Sequence, residues 1–333
     1  IGYLADTEQS LVKRALDAAI RLHDGQVRDS GIPFITHPIA VANYLTQLEA
    51  DGNTLAAALL HDVIEDERWT LEELRQKFGD DVAKLVDGLT KLTKLHYEGR
   101  RGERQAASLR KLLLVASEDL RVLLIKLADR WHNIETSSGL RPDKQRRVAD
   151  ETLDIYVPFA RLVGLYELKD RLEEVCFPIS MPEESALWHT AIAKIRSELT
   201  IERQAFIDRI DAETGRNVKP HLAQSTDHSI FTKLQGNLSR LEDTRNIDSV
   251  VLVIDAEAPI SCYEVLGAVH VHYPVRSYSF KDFISSPQPN GYRALHTTIF
   301  LSRNHQLLLR IQTKAMHDFT TKRKMSSWIT NGA

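Results

Sequence analysis

Cysteine is almost missing from this sequence. The 333 residues hold two, Cys176 and Cys262, far apart and in no metal-ligand spacing. That excludes a disulfide scaffold and a thiolate zinc site, and it fits two core thiols in a reducing cytoplasm. No apolar run approaches membrane-spanning length, and the first residues carry no signal-peptide pattern. Neither sign of charge is in excess: 43 Lys and Arg stand against 46 Asp and Glu, a net charge of −3. This balance argues against an extended nucleic-acid surface and leaves room for a local basic pocket that takes one nucleotide. Internal repeats and low-complexity tracts are also missing. The chain starts at Ile1 rather than Met, as expected of a piece of a longer protein. Its hydrophobic content of 43% and charged content of 27% are those of an ordinary globular chain, and the length predicts one large or two modest domains.

What is there begins with Ala56-Ala57-Ala58-Leu59-Leu60-His61-Asp62-Val63-Ile64-Glu65-Asp66. The alanine and leucine run predicts a buried helix over 54–66 with Thr54 as its N-cap. On such a helix His61, Glu65, Asp62 and Asp66 fall at about 0°, 40°, 100° and 140°, all on one arc. Ionisable groups that follow a buried run are costly unless they are paired or hold a metal. Two further stretches complement this one: Arg28 to Pro38, with His37, and Ile125 to Asn133, with Asp129. His37, His61, Asp62 and Asp129 make a set of two imidazoles and two carboxylates. Without thiolate, such a set suits Mn²⁺ or another octahedral first-row ion better than a closed zinc site.

These segments resemble the HD-type phosphohydrolase domain of the RelA/SpoT alarmone enzymes. The resemblance runs through Gly25-Gln26-Val27-Arg28, Ile35-Thr36-His37-Pro38, His61 to Asp66, Phe78-Gly79, Gly88-Leu89-Thr90-Lys91 and Lys126 to Asn133. It implies hydrolysis of (p)ppGpp at the 3′-pyrophosphate. His37, His61, Asp62 and Asp129 would hold Mn²⁺, and Glu65 and Asp66 would act as acid–base groups. Arg28 would stack on the guanine base, with Ser30, Asn133 and Thr136 as further substrate contacts. Lys126 and Arg130 fit ion-pair partners and phosphate ligands equally well. One departure is Asp29, where many relatives carry a basic residue. It weakens the case for a 5′-diphosphate clamp there.

Taken in order, residues 7–24 show helical periodicity through Leu11, Ala15, Ala18, Ala19 and Leu22, with Thr7 as N-cap and Gly25 as the stop. His37-Pro38 opens the next helix. Thr70-Leu71-Glu72-Glu73 is a capping box for a helix that ends at Gly79. Residues 80–95 continue as helix, 96–107 read as a polar loop, and 107–117 as helix. Asp119 leads into the helix of Asp129, and 142–165 form another. The all-helical first domain is expected over 1–178, with a connector opening at Pro178 and a helical linker over 179–213. A second domain over 214–333 is α+β. Strands are expected at Ser249–Ile254, Val269–Tyr273, Thr297–Phe300 and Leu307–Gln312.

The second domain resembles the family's nucleotidyltransferase-like synthetase, which moves pyrophosphate from ATP to GDP or GTP. The resemblance rests on Ser229 to Lys233, Cys262 to Gly267, Phe280 to Ile284, Asn290 to Thr297 and Gln312 to His317. Asn290, Tyr292 and His296 match its guanine side. The other half departs. Leu222-Ala223-Gln224-Ser225 stands where the family grips phosphates with cations, Leu308 replaces the catalytic glutamate, and Asp248 remains as a match for the metal carboxylate. Phosphoryl transfer needs cations on the phosphates and carboxylates on Mg²⁺. The expectation is a degenerate, inactive synthetase retained for regulation. The alternatives are a bifunctional (p)ppGpp synthetase/hydrolase and a non-catalytic nucleotide-binding regulator. The intact His-Asp-x-x-Glu-Asp pattern speaks against the second of these. Regulatory protein partners stay unidentified.

Overall fold

The computed structural model describes residues 1–28, 31–66, 68–93, 110, 112, 114, 118–214, 217–242, 247–288, 291–303 and 305–321. The polar loop expected over 96–107 and most of the helix expected over 107–117 lie outside these residues. The chain forms two compact units, Ile1–Ala160 and Arg161–Arg323.

Among the described residues the first unit is helical. Its elements are α1 (Asp6–Leu22), α2 (Thr36–Gln47), α3 (Gly52–Leu59), α4 (Leu71–Phe78), α5 (Asp80–Thr93), α6 (Leu120–Glu135) and α7 (Pro142–Glu151). A π turn over Thr152–Tyr156 then leads into α8 (Val157–Leu162). The periodicity of α1 is observed, with Val12, Ala15, Ala18 and Ala19 buried, although the helix starts at Asp6 behind Ala5 rather than at Thr7. The capping box forms as its residues dictate. Thr70 accepts from the Glu73 N–H, Glu73 reaches back to Thr70, and Gly79 ends α4 at φ +91°. Asp119 caps α6 by accepting from the Arg121 N–H at 2.9 Å.

The central helix differs from expectation at both ends. Its N-cap is Asp51, which accepts from the Thr54 N–H at 2.9 Å, and Thr54 lies inside the first turn. The helix stops at Leu59, and 61–66 continue as turns closed by Val63 N–H to Leu60 O and Asp66 N–H to Asp62 O. The helical-wheel placement of His61, Asp62, Glu65 and Asp66 therefore does not hold. What ends the helix is local: the His61 imidazole turns back onto the Ala58 carbonyl at 2.8 Å. At its start α3 lies tight on α1. A Cβ on Gly52 would meet the Glu8 side chain at 2.7 Å, and the Gly52 N–H donates to Glu8.

The second unit opens with α9 (Tyr166–Ser180) and the 33-residue α10 (Pro182–Thr214), separated by Met181 alone. Pro178, expected to open a connector, sits inside the last turn of α9, where its missing N–H costs only one hydrogen bond. The long helix buries Trp188, Ile192, Leu199, Phe206 and Ile210 at spacings of one face. The rest comprises β1 (Val218–Gln224), α11 (Asp227–Lys233), β2 (Asp248–Ile254), α12 (Ile260–His272), β3 (Lys281–Asp282), β4 (Leu295–Phe300), β5 (Gln306–Thr313) and α13 (Lys314–Thr321). The sheet order is β1-β2-β5-β4-β3, with β2 and β5 parallel and the other pairs antiparallel. Every residue of β2 is buried, as its β-branched run predicts.

The strand expected over Val269–Tyr273 is instead the end of α12. Cys262, Val265 and Val269 recur at spacings of three and four, pack into the core with the sheet residues, and override the β propensity of the valines. Both cysteines are buried, and neither is in a disulfide.

Candidate metal centre and its counterpart

His37 comes from the first turn of α2, His61 and Asp62 from the turns after α3, and Asp129 from the middle of α6. His37 Nε2 stands 3.2 Å from Asp129 Oδ1 and 3.9 Å from Asp62 Oδ2. His61 Nε2 stands 3.2 Å from Asp62 Oδ1 and 3.9 Å from Asp129 Oδ1. Ligand atoms of His37, His61 and Asp129 all lie within 4.8 Å of one another, and all three residues are buried.

The hydrogen bonds fix what each ring presents. A carbonyl only accepts, so His61 Nδ1 carries the proton it donates to Ala58 O. Its Nε2 is then a bare lone pair, buried and without a hydrogen-bond partner among the described residues. A guanidinium only donates, so Arg28 Nη1, 3.0 Å from His132 Nδ1, makes that nitrogen an acceptor. His37 Nδ1, 2.7 Å from the same atom, is then a donor, and its Nε2 also faces the carboxylates as a lone pair. Burial first, with the neighbouring His37 and Arg28, pushes His132 down to about 4, so it accepts as a neutral ring. Among the described residues, two imidazole lone pairs and the Asp129 carboxylate converge, and the Asp62 carboxylate stands against both imidazoles, outside that group of three. Such a set demands a cation, and a divalent metal fits it.

The surroundings of Asp129 aim it. Oδ1 accepts from Asn133 Nδ2 at 2.6 Å, and Oδ2 from Lys126 Nζ at 2.7 Å. Burial alone would raise its carboxyl, but Lys126, His37 and His61 together outweigh it and hold Asp129 well below the usual carboxylate range. Lys126 is therefore an ion-pair partner. So is Arg130, which bonds Glu151 at 2.9 Å and lies 4.1 Å above the Tyr156 ring.

Arg28 and Asn133 are brought together at 2.7 Å. Thr136 caps α6, and its hydroxyl donates to His132 O. Glu65 and Asp66 are exposed in the turns beyond Asp62. Ser30 and Asp29 lie outside the described residues. The sequence reading passed over two residues. His132 shares a face of α6 with Asp129, a signal that spacing offered. His23, buried beside Phe34, carried no signal of its own.

In the second unit Tyr292 Oη bonds His296 Nε2 at 2.8 Å, with Phe283 against both rings. Burial raises the Tyr292 phenol. Burial, with Arg310 and Lys281, lowers His296 to about 4. Asn290 lies outside the described residues. Asp248 is buried and fully engaged: Arg196 Nη2 and Arg203 Nη1 each donate at 3.0 Å, and the Ser225 N–H at 3.2 Å. The 222–225 stretch has no cation of its own, yet Arg196 reaches Ser225 O at 2.7 Å from α10. Leu308 pairs with Ser249 in the parallel ladder, on the same side of β5 as Arg310.

A helical unit that gathers two imidazoles and a buried carboxylate, followed by a mixed-sheet unit, has known counterparts. Residues 15–166 match the family described as HD domain, and residues 225–329 match the region found in RelA / SpoT proteins. The two matches together are consistent with a RelA/SpoT family protein. It is 38% identical over 98% of its length to the guanosine-3′,5′-bis(diphosphate) 3′-pyrophosphohydrolase of Vibrio cholerae, covering 46% of that protein. It is 36% identical over 98% of its length to the bifunctional (p)ppGpp synthase/hydrolase SpoT of Escherichia coli, covering 46%. Against the GTP pyrophosphokinase rsh of Brucella melitensis it is 36% identical over 95% of its length, covering 42%. The chain thus spans less than half the length of these relatives.

Proposed function

We propose that the first unit hydrolyses (p)ppGpp at its 3′-pyrophosphate to GDP or GTP and pyrophosphate, with Mn²⁺ as the metal. The observation that carries this reading is the convergence of His37 Nε2, His61 Nε2 and Asp129, with the Asp62 carboxylate against both imidazoles. A first-row divalent cation supplies positive charge against phosphate and acidifies water. The rest falls to this chain's own groups. Ala58 O and His132 hold the two imidazoles in the ligand tautomer, and Lys126 and Asn133 hold Asp129. Glu65 and Asp66 stand where solvent reaches them. One takes the proton of the attacking water and the other gives a proton to the leaving oxygen. Arg28 and Asn133 exchange their mutual bond for the nucleoside, and Ser30 and Thr136 are carried over from the family pattern as further substrate contacts.

The second unit, on this reading, is a synthetase without chemistry, kept for regulation. Support comes from Asp248, tied to Arg196 and Arg203, and from Leu308. Tyr292, His296 and Asn290 remain as a guanine-side relic. No helix among the described residues is long and apolar enough to cross a membrane, and the buried thiols fit the cytoplasm.

The test is product analysis of ppGpp with Mn²⁺ present and then chelated. GDP and pyrophosphate that appear only with metal support the reading; metal-independent turnover, or release of single phosphates, overturns it. A second incubation with ATP and GDP addresses the bifunctional alternative, which the name of the Escherichia coli relative favours. Formation of ppGpp there would establish it.

A further inference from the structure

His23 closes α1, is 2% exposed, and ligates nothing in the centre described above. Its position is nonetheless specific. Nδ1 lies 2.6 Å from Gln26 Oε1, and Gln26 is the anchor of the loop that carries Arg28. The Gln26 N–H returns to His23 O, and the Phe34 N–H donates to Gln26 O, so both ends of that loop meet at Gln26. The imidazole also lies 4.8 Å from the Phe34 ring at a 30° tilt, and Phe34 in turn meets the His37 ring edge-on at 6.0 Å. The same Nδ1 is 4.0 Å from Asp66 Oδ2, beyond hydrogen-bond distance as the ring stands. One buried proton thus has two oxygens within reach of a small side-chain rotation. The amide oxygen belongs to the substrate loop. The carboxylate follows the Asp62 ligand on the 61–66 turns.

We propose that His23 is a positioning residue that holds the Arg28 loop through Gln26 and orients the Asp66 carboxylate for the hydrolytic reaction. This rests on the hydrolase reading for Asp66 but not for the loop. It requires an N–H at Nδ1 and a ring against Phe34. A merely space-filling His23 would need the ring alone.

The variants separate these demands. His23→Phe keeps a ring on Phe34 and removes the donor, and His23→Ala removes both. For His23→Phe the expected outcome is unchanged metal content and a kcat for ppGpp roughly 10- to 100-fold lower, the scale of a misplaced catalytic group. In an Asp66→Asn background the same change should cost less than about twofold, because residues that act through one another are not additive. Amide exchange over 26–34, at the Phe34 N–H above all, should quicken in His23→Phe whether or not substrate is turned over. A kcat within about twofold of wild type with unchanged exchange would overturn the proposal, as would a full penalty in the Asp66→Asn background. If the wild-type chain does not cleave ppGpp, the hydrolase reading falls, and exchange over 26–34 still decides whether His23 holds the loop.

Discussion

Asp129 and Asp248 are both buried carboxylates, one in each unit, and they have opposite surroundings. Asp129 has one ammonium, one amide and two imidazole lone pairs around it, so the cluster stays short of positive charge. Asp248 has two guanidiniums and a backbone N–H, and its charge is already met. Burial of a carboxylate does not define a metal site. The donor or acceptor character of the neighbours does, and Arg, which cannot give up its proton, is the residue that closes such a site.

The comparison breaks most sharply at the ligands. His61→Ala or Asp62→Ala should remove bound metal and bring ppGpp hydrolysis below detection; elemental analysis that shows stoichiometric metal in both variants would refute the ligand set. Next in size, Glu65→Gln should retain metal and substrate binding while turnover drops roughly 10²-fold or more. Near-wild-type turnover would make Glu65 structural.

The counterpart change in the second unit should act on stability. Asp248→Asn leaves the buried Arg203 guanidinium without its anion and removes one partner of the half-buried Arg196, a loss on the order of 3–5 kcal/mol. Urea unfolding should show it, with metal content unchanged. An unaltered unfolding midpoint would mean that the arginines do not depend on Asp248.

The smallest effect concerns acid. Burial would raise Glu173, but His228, Lys169, Ser229 and Thr226 bring it to about 2. Its folded pKa lies below the unfolded carboxylate value of about 4.3. Its stabilisation is thus complete above that value and is lost as the pH falls toward 2. Glu173→Gln should lower stability at neutral pH and flatten its acid dependence in that window. Parallel acid curves for variant and wild type would count against this.

What the sequence disclosed follows the range of the forces involved. Thr70, Glu73 and Gly79 specify their helix within ten residues, so the capping box was readable. The ligands His37, His61, Asp62 and Asp129 stood out through a family pattern, since nothing local unites α2, α3 and α6. The end of α3 was hidden. Val63 and Ile64 continue a plausible apolar period, and only the return of His61 to Ala58 O shows where the helix stops. The Val269–Tyr273 segment misled because alternating valines resemble a strand until the sheet that buries Val265 and Val269 is known. His132 with His37, and Arg203 with Asp248, are separated by 95 and 45 residues, beyond any spacing rule.

Because α3 gives way to turns after Leu59, the usual routes to a sturdier protein run backwards here. Substitutions at 60–66 that favour helix would extend α3 by more than a turn. Each added residue would rotate its side chain by about 100° and advance it about 1.5 Å along the axis. His61 would lose the Ala58 carbonyl, and its Nε2 would swing away from Asp129. A gain in thermal tolerance from that segment would come with a loss of metal, the familiar conflict between robustness and activity. Consensus or propensity-guided engineering should therefore leave these seven positions alone and work on the exposed faces of α4 and α5.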